Sequence, residues 1–128
     1  MAKYILMLSN TPEVIQRVRD TLEPEGYVVA VVPAEADVAD EVARHKADLV
    51  ILAPNLDNEE LRIYESRNMK QLGGSSNPER PRVIVLSIRT GGECIMENDT
   101  WADMRVFERF HPLEMLAFVR GIIGSSEE

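Results

Sequence analysis

Three short apolar runs with no polar interruption constrain this chain more than any other feature: Tyr4-Ile-Leu-Met-Leu8, Tyr27-Val-Val-Ala-Val-Val32 and Leu49-Val-Ile-Leu52. A strand with one wet face alternates apolar and polar residues; a run without alternation is buried on both faces. Val83-Ile-Val-Leu86 reads as a fourth such strand and Met104 to Phe107 as a weaker fifth. Helical patterns lie between the runs. Thr11 is a candidate N-cap with Pro12 at the first helical position, followed by Val14, Ile15, Val18 and Leu22 at helical spacing until Pro24 and Gly26. A second helix is expected from about Glu35 to Lys46, with Val38, Ala39, Val42 and Ala43 on its apolar face and Glu35 among its solvated positions. The third, opened by the capping-box spacing of Asp57 and Glu60, carries Leu61, Tyr64, Met69 and Leu72 and stops at Gly73-Gly74. Ser75 to Pro81 is a polar loop. Gly91 to Asp103 is the least periodic stretch, with one short helix expected around Cys94-Ile95-Met96. Pro112 to Ile123 is the last helix.

Five strands alternating with helices imply a parallel sheet covered on both faces. At 128 residues the expectation is α/β: a flavodoxin-like, doubly wound (βα)5 three-layer sandwich with sheet order 2-1-3-4-5. Residues 1–124 form one domain, and 125–128 are a disordered tail or the start of a linker to a following output domain. Ligands in such sheets sit at the carboxyl ends of the strands, so function is sought there.

Composition narrows the classes. Fourteen Lys and Arg against 22 Asp and Glu give a net charge of -8, which disfavours nucleic-acid and anionic-membrane binding. One cysteine excludes an internal disulfide, and without a Cys/His cluster structural zinc is not expected. The apolar run after Met1 stops at Ser9, too short for a signal peptide or a membrane span, so a cytoplasmic protein is expected. Ser9, Ser87, His45 and His111 show no GxSxG elbow, and the paired glycines lack nucleotide-loop phrasing. Cys94 lies near Glu93 and Glu97, which disfavour its thiolate. His45 suits a helix C-terminus, and His111 precedes Pro112 as a cap neighbour.

Four phrases, in order, resemble a two-component response-regulator receiver domain of the CheY-like kind: Tyr4 to Glu13, Ala47 to Pro54, Arg82 to Ser87 and Phe107 to Leu116. The resemblance implies a signalling module and places five chemical groups. The acidic pair that binds Mg²⁺ aligns with Ser9 and Asn10, the phosphoacceptor Asp with Ala53, the switch hydroxyl with Ser87 and the lysine with Glu108. The proline after that lysine aligns with Arg109, and the aromatic switch position with Arg105. Phosphoryl transfer to a carboxylate needs metal and lysine to neutralise the oxygens. Only the hydroxyl is kept, so the resemblance is to a degenerate, pseudo-receiver subtype with no metal, no cofactor and no enzymatic activity.

The expected activity is phosphorylation-independent protein–protein interaction, with another signalling protein or with a second copy as a homodimer. Receivers bind through the face of the fourth helix, fifth strand and last helix. Its candidates here are Arg105, Arg109, Met115, Phe118 and Ile122. Met115, Phe118 and Ile122 form a second apolar stripe beside Leu116, Val119 and Ile123; either both stripes are buried within the domain or the second is exposed. Two alternatives stand beside this reading. One is an atypical regulator phosphorylated at a displaced acid such as Asp57. The other is small-molecule sensing in a polar cleft lined by Ser9, Asn10, Ala53, Ser87 and Glu108.

Overall fold

The computed structural model describes residues 3–54, 58–72, 81–87, 104–107 and 111–124. Its elements are β1 (Tyr4–Ser9), α1 (Pro12–Leu22), β2 (Val28–Val32), α2 (Val38–His45), β3 (Leu49–Ala53), α3 (Asn58–Gln71), β4 (Arg82–Ser87), β5 (Met104–Phe107) and α4 (Pro112–Ile123). A 3-10 turn, Glu23–Glu25, follows α1 and ends at Gly26, whose φ of 96° suits a residue without a Cβ.

All strands are parallel, in the order β2-β1-β3-β4-β5. This is the expected doubly wound order, and the weak fifth strand takes its place at the edge. Two of the three uninterrupted runs are buried on both faces, with Leu6, Met7, Leu8 and all of Leu49–Leu52 fully enclosed. β2 is not, because it lies at the sheet edge, where Val28 is 44% exposed and Ala30, Val31 and Val32 are half-buried. Alternate side chains feed two cores. Ile5, Met7, Leu49, Ile51 and Ala53 meet α1 and α4 through Val14, Val18, Leu22, Met115 and Val119. Leu6, Leu8, Val50 and Leu52 meet α2 and α3 through Val38, Tyr64 and Leu72.

Local chemistry moves several expected boundaries. β2 starts at Val28 because Tyr27 is turned inward, its hydroxyl donating to the Gly124 carbonyl at 2.7 Å. α2 begins at Val38, not Glu35, since Asp37 caps it by accepting the Asp40 N–H at 3.0 Å; the residues before it are loop. Ala43 is exposed, not on the apolar face: it lies ~140° around the helix from Val38, outside the arc that Val38 and Val42 present. On α3 the buried face holds Glu65 and Asn68 beside Tyr64 and Leu72, while Ile63 is 67% exposed. The Asn68 amide N–H donates to the Tyr64 carbonyl one turn back, at 2.8 Å, while its Oδ1 is buried without a hydrogen-bond partner among the described residues. Asp57, Gly73-Gly74, the loop from Ser75, the segment around Cys94, Glu108, Arg109 and the tail past Gly124 lie outside the described residues.

Candidate functional site at the carboxyl ends of the strands

The carboxyl edge of the sheet gathers the sequence-predicted positions that the structure describes. Ser9 closes β1 and Ala53 closes β3, and the two are direct partners in the parallel register. Ser87 closes β4 opposite Phe107, the last residue of β5. Leu52 pairs with Val85, so Ser87 stands one step further along its strand than Ala53. The sheet thus brings Ser9, Ala53 and Ser87 to one rim, with Asn10 immediately beyond it.

The side chains of Ser9, Asn10 and Ala53 are committed to the fold. Ser9 is buried, and its Oγ accepts the Thr11 N–H at 3.2 Å. Thr11 occupies the N-cap position of α1 as expected, but its own side chain makes no cap bond; the preceding serine orders the turn instead. The Asn10 carboxamide bridges two segments. Its Oδ1 accepts the Ala34 N–H at 3.1 Å, and its Nδ2 donates to Glu35 Oε2 at 2.8 Å. Ala53 is 4% exposed, and its methyl belongs to the core shared by α1 and α4.

Glu35 is the rim residue that the helical pattern misplaced. Because α2 starts three residues later than expected, Glu35 sits in the loop after β2 and reaches Asn10. Pro33, which ends the strand, and Asp37, a good capping residue, were the signals that could have placed it there. The same loop is tied to α3. The Tyr64 hydroxyl donates to the Ala34 carbonyl at 2.8 Å, and Arg67 Nη2 donates to the Glu35 and Ala36 carbonyls at 3.3 and 3.4 Å. The Val38 N–H donates to Gln71 Oε1 at 3.0 Å. Burial pushes the Tyr64 hydroxyl up to about 12, against the opposing pull of the Arg67 guanidinium.

Ser9, Asn10 and Ala53 are not the donor set a divalent cation takes. Mg²⁺ takes carboxylate oxygens in octahedral geometry; here one rim position is a methyl, and the Ser9 and Asn10 oxygens already accept backbone N–H groups. Among the described residues no three His, Cys, Asp or Glu side chains converge.

The candidate interaction face resolves differently. Arg105 lies in the edge strand β5. Met115 is fully buried, so it presents nothing to a partner, and Phe118 and Ile122 are half-buried against the core. The reason is the width of the apolar arc: at 100° per residue Phe118, Ile122, Met115, Val119, Ile123 and Leu116 span ~160° of α4. Both stripes therefore pack inward, and Phe118→Asp, a surface change under the exposed-stripe reading, would charge a core-packed position. On the opposite side of α4, Leu113 is 70% exposed. His111 caps α4 directly, its Nδ1 accepting the Leu113 N–H at 3.1 Å. His45 ends α2 with Nε2 3.4 Å from Glu41 Oε1. No described helix is long and apolar enough to cross a membrane.

No family model matches the chain, and no curated protein matches it by sequence. Solved structures do. A response regulator from Thermotoga maritima superposes with a TM-score of 0.76 at 21% identity, over 98% of this chain and 100% of that one. The receiver domain of a sensor histidine kinase from Pseudomonas aeruginosa, with a magnesium ion coordinated in its active-site cleft, gives 0.71 at 17%, over 98% and 100%. An orphan response regulator of H. pylori gives 0.66 at 16%, over 94% and 96%. At these identities the likeness is one of fold: the chain has the CheY-like receiver fold.

Proposed function

We propose that this chain, a receiver fold by its architecture, is a signalling module that works through protein contacts and not through aspartyl phosphorylation. The observation that carries this is Ala53. At the carboxyl end of the central strand β3 the side chain is a buried methyl in the hydrophobic core, with neither an oxygen to accept a phosphoryl group nor a charge to hold a metal. Its register partner Ser9 and the adjacent Asn10 support the same reading, since both spend their acceptor oxygens on backbone N–H groups. Glu108, which follows β5, adds a carboxylate by sequence where a lysine would be needed. The module occupies residues 1–124, has no catalytic role, and takes its control from the availability of its partner. Partners dock beside β5 and α4, with Arg105 and Arg109 as the charged contacts.

The test is exposure to Mg²⁺ with acetyl phosphate, and separately with beryllofluoride. The expected result is an unchanged mass and unchanged amide spectra near Ser9, Ala53 and Ser87. A stoichiometric mass gain of one phosphoryl group, or beryllofluoride-dependent shifts around Ser87, overturns the reading and favours a displaced acceptor such as Asp57.

A further inference from the structure

The β2 edge of the sheet combines three features that the proposed function does not use. First, β2 is an outer strand, and Val28–Val32 carries no charge and no proline. The Val28 N–H donates to the Lys3 carbonyl, so in a parallel ladder Val28, Ala30 and Val32 face β1. Val29 and Val31 therefore point their N–H and C=O groups out of the sheet. Edges of this kind are normally protected by charge, a bulge or a covering element. Second, the lower corner of the edge is bare on its α2 side. α2 is only eight residues long, and beside its end Tyr4 and Val28, partners in register, stay 42% and 44% exposed. A 350 Å³ hollow there is lined by Tyr4, Val28, Ala30, Arg44 and Lys46 among others. Third, charge is polarised along this edge. Exposed Glu35, Asp37 and Asp40 lie at the end where β2 finishes and α2 begins; exposed Arg44 and Lys46 lie at the end where β2 begins and α2 finishes, with the half-buried Glu41 3.6 Å from Arg44.

From these we infer that β2 is the pairing edge for a second copy of this chain, docked antiparallel about a two-fold axis at Ala30. The geometry is self-complementary. Val29 of each copy faces Val31 of the other as a hydrogen-bonded pair, satisfying all four outward N–H and C=O pairs. Val28 of each is covered by Val32 of the other. The antiparallel sense sets the basic end of each α2 beside the acidic end of its mate, whereas a parallel docking would set like charges together. Pro33 closes the strand and fixes its extent. Two five-stranded sheets become one of ten strands. The inference does not depend on the proposed function, which uses the opposite edge of the sheet.

Light scattering on the eluting protein, from about 10 µM to about 1 mM at ~0.15 M salt, tests it: local ion pairs act there while the net charge is screened. The mass should rise towards twice 14.4 kDa. Amide exchange at Val29 and Val31 should slow with concentration while amides of α4 are unaffected. Arg44→Glu should weaken association by at least about ten-fold, and adding Asp40→Arg to it should restore most of the loss. A monomer throughout, or a dimer whose Val29 and Val31 amides ignore concentration, overturns the inference. So does equal weakening by the single and double variants. Protection that rises at residues 112–123 instead also overturns it, while leaving the α4-side docking surface standing.

Discussion

At the scale of single residues, the rim of the sheet shows how little room a fold leaves for unassigned chemistry. Ser9 and Asn10 look, in sequence, like polar residues free to act; in three dimensions they hold the α1 turn and the loop after β2. Tyr64 is the titratable group most changed by this packing. Burial raises its pKa to about 12 from 10.0, and Tyr27 is raised in the same direction by desolvation, with Arg120 opposing. The sign follows from which state keeps the proton. Below pH 10 both folded and unfolded chains keep it, so the stabilisation is fully present. Between 10 and about 12 the unfolded chain ionises while folded Tyr64 does not, so stability falls as pH rises, by ~2–3 kcal/mol in total. Urea unfolding at about pH 8 and about pH 11 should show about half of this loss, ~1.4 kcal/mol, in the wild-type chain and a flatter profile in Tyr64→Phe. The variant also loses the bond to Ala34, worth about 1 kcal/mol at neutral pH.

At the scale of elements, periodicity locates every described α-helix, and it misplaces faces and starts where polar residues serve the fold. On α3, Glu65, Asn68 and Leu72 share a helical face with Tyr64, yet two of these are polar and carry no apolar signal. On α2 the acidic residues before Val38 suit a helix N-terminus without belonging to the helix, because Asp37 is the cap itself. α4 shows the opposite case, an apolar arc so wide that it resembled two faces with separate tasks. Its helix carries one avoidable weakness. Gly121 is exposed in the last turns, and a Cβ there would meet nothing within 4 Å. Gly121→Ala should stabilise the protein by ~0.5–1 kcal/mol, seen as a higher urea midpoint with an unchanged slope.

At the scale of the molecule, the chain closes on itself through contacts distant in sequence. The Tyr27 hydroxyl reaches the Gly124 carbonyl across 97 positions, and Arg120 meets Glu25 at 2.7 Å, so the end of α4 is tied to the start of β2. Tyr27→Phe should cost about 1 kcal/mol and speed amide exchange in the last turn of α4 ahead of the sheet. The order of elements, the parallel sheet and its doubly wound course were legible in the sequence, because strands buried on both faces must be continuously apolar and their period is local. So were the positions of Ser9, Ala53 and Ser87 at strand ends. Tertiary structure alone decided what Ser9 and Ala53 do. Whether a serine oxygen is free, whether Glu35 reaches the rim, whether Phe118 faces solvent, and which edge strand lies bare all depend on partners tens of residues away. A linear pattern records the period of one element; it does not record what that element is packed against.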